Sequence, residues 1–187
     1  LSVRADTMFT TSPIEITSGH ADPMSYVSLS TEPYFTFDGN DLTFRSDGVP
    51  APGRFQLPVR ITNGANDVEV TYQQINVFNE PKPAYEAEYS VVRGKQISKW
   101  PTLPYNSIDY SKGAPFYSFT TGTPPSWLKL DRYSGRITAA PTEISDVRDV
   151  PYGPFVVSVV DAFGIPVASD SFTIKVEDRA DIELTEN

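Results

Sequence analysis

Pro124-Pro125-Ser126-Trp127-Leu128-Lys129-Leu130-Asp131-Arg132-Tyr133-Ser134-Gly135-Arg136-Ile137-Thr138 is the stretch whose reading decides the fold. Leu128 and Leu130 alternate with Lys129, the period of two that a half-buried strand requires. Trp127 enters that strand and is expected to plug one end of a sandwich. Asp131 to Gly135 reads as a tight turn, because an Asp side chain can accept from the backbone ahead of it and Gly135 is free to take positive φ. Ile137 then restarts the apolar alternation. The stretch is strand, turn and strand, and it contains no reaction chemistry.

Working outward, nearly every readable segment has the same period. The second half predicts strands at Tyr85–Val92, Gln96–Ser98, Phe116–Thr120, Trp127–Asp131, Arg136–Thr138, Phe155–Val160 and Val167–Val176. The first half predicts them at Ile14–Thr17, Ser25–Leu29, Tyr34–Phe37, Leu42–Phe44, Phe55–Thr62 and Val68–Phe78. Aromatic and β-branched residues alternate with polar ones, and the 17 Pro and 11 Gly fall between the runs as turn punctuation. Asp38-Gly39-Asn40-Asp41 is expected to close a hairpin, with Gly39 and Asn40 supplying positive φ. Helical periodicity is absent, save for one short turn within Thr142–Val147.

Asn79-Glu80-Pro81-Lys82-Pro83 separates the halves, and alternate prolines favour an extended connection. The halves also repeat. Phe35-Thr36-Phe37-Asp38 matches Leu128-Lys129-Leu130-Asp131, Gly53 to Val59 falls against Gly153 to Val159, and Gln74-Ile75-Asn76-Val77 against Thr173-Ile174-Lys175-Val176. The expected fold is therefore all-β, two tandem immunoglobulin-like (cadherin-like) β-sandwich domains. Their bounds are 1–79, with an N-terminal arm over 1–12, and 80–178, followed by a C-terminal tail over 179–187.

The Pro124-to-Thr138 stretch resembles the hallmark segment of dystroglycan-type cadherin-like (CADG) domains and of related Ig-like domains. Typical of these is Pro-x-Trp-Leu, an apolar residue and Asp, then Ser or Thr, Gly and Ile or Leu. Tyr152 to Asp161 and Asp170 to Val176 resemble the strands that follow, so the likeness covers most of residues 82–177. Ala139-Ala140-Pro141 departs from the Gly usual before the last small residue and Pro, and the first half lacks the Trp-Leu signature. In this reading Trp127, Leu130, Asp131, Gly135 and Ile137 are structural residues.

Composition removes whole classes of function. The net charge of −9 and pI of about 4.5 repel nucleic-acid phosphates and anionic lipid. The absence of cysteine and the single histidine exclude thiol nucleophiles and His-rich zinc sites within this chain. That histidine, His20, lies in a polar turn and reads as an ordinary loop residue. Neither a phosphate-binding Gly-rich loop nor a G-x-S-x-G elbow occurs. The chain is expected not to be an enzyme. It contains no apolar run long enough to span a membrane, and its start at Leu1 is expected to mark a processed product or an excised piece. The missing cysteines and missing Asn-x-Ser/Thr acceptors favour a bacterial, archaeal or viral setting.

Two candidate sites remain. The resemblance to cadherin-type repeats implies calcium, which takes six to eight oxygens, with Asp161, Glu177, Asp178 and Asp181 as candidate ligands; solvated surface acids are the plain alternative. A glycan platform would use Trp100 with Tyr105 and Tyr110, on the long loop from Trp100 to Pro115. The aromatics could equally pack on their own sheet. The N-terminal arm could pair along a sheet edge, its own or a neighbour's. The leading expectation is a non-catalytic extracellular, cell-surface or virion-surface structural or adhesion protein. Its domains would act as spacers or contact protein partners and neighbouring subunits. The alternatives are a carbohydrate-binding module and accessory domains of a larger secreted enzyme.

Overall fold

The computed structural model describes residues 1–5, 7–15, 24–48, 50–65, 67–121 and 123–178. These form two compact units. The first is Leu1–Glu80 with Tyr105–Ser107, and the second is Pro81–Pro104 with Ile108 onward.

In the first unit, β1 (Ser2–Arg4), β2 (Ser25–Ser28), β5 (Gly53–Thr62) and β6 (Val68–Phe78) form a sheet in the order β1-β6-β5-β2. Between them in sequence, β3 (Phe35–Asp38) and β4 (Thr43–Ser46) make a hairpin. The strands alternate as their sequence requires. Leu57, Val59, Ile75 and Val77 point inward and meet Phe35 and Phe44 of the hairpin in one core. Residues 9–14 run beside β4. Thr10 bridges Arg45, and backbone bonds join Thr11 to Phe44 and Ile14 to Leu42. The edge segment expected at Ile14–Thr17 thus lies earlier in the chain, and residues 16 and 17 fall outside the described ones.

The described residues of the N-terminal arm are part of this unit. β1 pairs in parallel with the end of β6, Ser2 to Asn76 and Arg4 to Phe78, so the arm's partner edge is its own sheet.

The second unit repeats the plan. It contains β7 (Glu88–Val92), β8 (Ile97–Lys99), β9 (Phe116–Phe119), β10 (Leu128–Leu130), β11 (Ile137–Ala139), β12 (Tyr152–Phe155), β13 (Val157–Val160), β14 (Val167–Ala168) and β15 (Phe172–Glu177). β8, β11 and β10 form one sheet, and β7 pairs in parallel with β15 from Glu88–Thr173 to Val92–Glu177. Phe155, Val157, Val159, Phe172, Ile174 and Val176 meet Leu128, Ile137 and Ala139 in its core.

Two long sequence-predicted strands are split. Within β12 the register shifts between Tyr152 and Phe155, where Pro154 offers no N–H. Past Phe155 the chain changes partners, so that β12 pairs with β15 and β13 with β9 and β14. Ser169 then exchanges bonds with Val157, through its hydroxyl and its own N–H. The short turn expected within Thr142–Val147 is a 3-10 turn at Ile144–Asp146.

Candidate functional site

The turn after β10 is built by one carboxylate. Asp131 accepts the N–H groups of Tyr133 at 3.0 Å and Ser134 at 2.9 Å. These bonds, Ser134's foremost, hold its carboxyl below the ordinary carboxylate value. Gly135 follows at φ 70°, and a Cβ there would lie 2.7 Å from the Tyr117 ring. Tyr85 donates its hydroxyl to the Gly135 carbonyl at 2.7 Å, and burial pushes its phenol far above the usual range. Burial also pushes Tyr117 up to about 12. Sequence reasoning missed both tyrosines, because nothing near them in the chain marks the turn they enclose.

Trp127 is half-buried against the core, and its indole N–H donates to Asp146 at 3.0 Å. Its ring meets Tyr152 edge-on at 4.9 Å. Asp146 also accepts from Thr142 and Glu143, so one carboxylate ties the indole to the 3-10 turn. Leu130 is half-buried, whereas Ile137 is 1 % exposed. An open groove of about 420 Å³ runs past Trp127, Lys129 and Asp146.

The three aromatics of the candidate platform are all exposed, Trp100 at 61 %, Tyr105 at 85 % and Tyr110 at 68 %. Trp100 and Tyr110 belong to the second unit and Tyr105 to the first. The Tyr105 carbonyl accepts from the Asn79 side chain, and Asn106 beside it donates to Val77. Trp100 carries the Arg136 guanidinium 5.2 Å from its ring, and the Arg136 Nε is buried without a hydrogen-bond partner among the described residues. A groove of about 250 Å³ adjoins it, lined by Tyr85, Glu86, Tyr89 and Lys99.

The acidic candidates are dispersed in their engagements. Asp161 is buried and accepts the Phe163 N–H at 3.1 Å. Asp178 is bonded to Arg93, 2.8 Å from Nη2. Glu177 ends β15 with its side chain exposed. Asp181 and His20 lie outside the described residues. Among the described residues no three His, Cys, Asp or Glu side chains are gathered as metal ligands would be.

No protein-family model matches the chain, and no curated protein matches it. Solved structures do. The titin I-band fragment I67–I69 matches with a TM-score of 0.51 and 12% identity, over 95% of this chain and 62% of that one. Its E-to-A mutated variant gives 0.52 and 14%, with the same coverage. The fold is immunoglobulin-like and tandem. Mouse Cadherin-23 EC22-24 also aligns, at a TM-score of 0.49 and 16% identity over 96% of this chain. The chain spans about three fifths of these structures' length (62% of each). With the topology above, each immunoglobulin-like unit has its first strand parallel to its last. No helix among the described residues is long and apolar enough to cross a membrane.

Proposed function

We propose that this chain is a non-catalytic surface protein, extracellular or on a virion, whose two immunoglobulin-like domains act as a spacer that carries tension and presents surfaces to protein partners. The observation that carries the reading is the parallel pairing of first and last strands in each unit, β1 with β6 and β7 with β15. Tension applied at the ends of such a unit loads the ladder in shear, so its hydrogen bonds must fail together rather than one at a time. The other geometry that the two units share, turn and core alike, builds the fold.

Stretching the full chain by its ends tests this. Two separate unfolding events are expected, releasing roughly 25 nm for the first domain and roughly 30 nm for the longer second one, at ~3.5 Å per residue less the folded span. Gradual extension without a force peak would overturn it.

A second reading, glycan binding, is favoured by the exposed Trp100 ring and the groove beside it. A glycan array with wild type and Trp100→Ala decides it. Binding that the substitution abolishes supports the reading, and no binding by wild type removes it.

A further inference from the structure

The outer edge of β6 is open for half its length. Asn76 donates to the Leu1 carbonyl, and the Leu1 amino group donates to the Gln74 carbonyl, so the even-numbered residues of β6 turn their N–H and C=O groups away from β5. β1 covers only Asn76–Phe78. Val68, Val70 and Tyr72 therefore present backbone donors and acceptors at the sheet edge, with no further strand paired to them among the described residues. Their side chains share the outer face and are 60%, 40% and 58% exposed. Val27 and Leu29, 43% and 44% exposed, lie on the same face beyond β5, with the exposed Arg60 between Val27 and Val70.

Natural sheet edges are blunted by Lys, Pro, a bulge or an inward-pointing charge. Val68-Glu69-Val70-Thr71-Tyr72-Gln73-Gln74 has no Lys or Pro and pairs regularly with β5, and Glu69, on the face opposite Val70, is its one charge. The segment is also self-complementary. A two-fold axis at Val70, the middle of the three open residues, sets Val70 opposite its own copy and Val68 opposite Tyr72. Glu69 then faces Thr71 rather than another Glu69.

We infer that the outer edge of β6, Val68 to Tyr72, is a strand-addition site whose partner is the same edge of a second copy of this chain. The pair joins two four-stranded sheets into one of eight strands, with antiparallel addition at Val70. The −9 charge on each chain opposes the association, so raising the ionic strength tightens it. The inference does not depend on the spacer reading, since a monomer could still span a distance as two domains.

Sedimentation equilibrium of the full chain, with hydrogen exchange followed at single amides, tests it. Wild type is expected to dimerise with rising concentration, and the amides of Val68, Val70 and Tyr72 gain protection in step. Those of Thr71 and Gln73, already bonded to β5, do not change. Val70→Lys places an exposed charge at the axis and is expected to weaken the dimer at least about tenfold. Val70→Pro removes the central donor and should do the same, while far-ultraviolet dichroism confirms that each variant folds. Wild type that stays monomeric up to millimolar concentration overturns the inference. So does a dimer that persists in folded Val70→Lys, or an edge that takes up an unrelated extended peptide without self-pairing.

Discussion

Leu42 holds, four residues after Asp38, the left-handed backbone that Gly135 holds four residues after Asp131; the φ angles are 55° and 70°. Asp38 also accepts the N–H groups of Asn40 and Asp41, as Asp131 accepts those of Tyr133 and Ser134. The two hairpins are one turn built twice. The difference is that the second unit uses glycine where the first holds a side chain in a conformation costing about 1–2 kcal/mol.

Gly135→Ala is expected to cost about 2 kcal/mol or more, because left-handed strain adds to a Cβ 2.7 Å from the Tyr117 ring. Leu42→Gly relieves strain but gives up a half-buried side chain, so it should change stability by less than about 1 kcal/mol. Urea unfolding separates the two effects. Both tryptophans, Trp100 and Trp127, lie in the second unit, so their fluorescence follows Gly135→Ala, while far-ultraviolet dichroism follows Leu42→Gly in the first.

Acid should weaken the second hairpin through Asp131. Its carboxyl lies lower in the folded chain than the ordinary 3.8. Its contribution is therefore present above that value and is lost as pH falls through the lower, folded one. Asp131→Asn keeps an oxygen to accept both N–H groups. Its thermal midpoint should therefore lose less than that of wild type when pH is lowered below about 4.

Alkali should act through Tyr117 together with Tyr85, which burial raises further still. The Tyr117 phenol is raised from 10.0 to about 12, so its contribution is present below pH 10 and is lost as pH rises toward 12. Tyr117→Phe should remove its share of that loss and leave the share of Tyr85, read from the unfolding midpoint of the second unit across the range. Tyr85→Phe deletes the bond to the Gly135 carbonyl and is expected to cost about 1 kcal/mol at neutral pH.

Trp127→Phe removes the indole donor from Asp146 and part of the contact with Tyr152. A hydrogen bond to a carboxylate is worth about 1.5–3 kcal/mol. The chemical unfolding midpoint of the second unit should fall accordingly, followed by near-ultraviolet dichroism.

Much of this was legible in the sequence because the signals are local. The alternation at Leu128-Lys129-Leu130 and the Asp131-to-Gly135 turn fix a hairpin within a dozen residues, and the match to Phe35-Thr36-Phe37-Asp38 reveals its copy. The copy also misled. Gly39 and Asn40 suggested positive φ, yet Leu42 takes it, because the position in the turn rather than the residue type decides which backbone must bend. The parallel pairings were not legible. Ser2 and Asn76 are far apart in the chain, and nothing in a three-residue strand says which edge it joins. The candidate platform of Trp100, Tyr105 and Tyr110 was read from proximity in sequence, and all three side chains are exposed. The stack of Arg136 on Trp100 depends on β11 lying beside β8, a tertiary fact.

The central claim is that the parallel ladder of first and last strands lets each domain carry tension. Stretching wild type beside Val3→Pro tests it most directly, since proline breaks the middle of the β1–β6 ladder and leaves β7–β15 intact. The account predicts two force peaks in wild type, and in the variant one that falls sharply while the other is unchanged. Two unaltered peaks in folded Val3→Pro would contradict it.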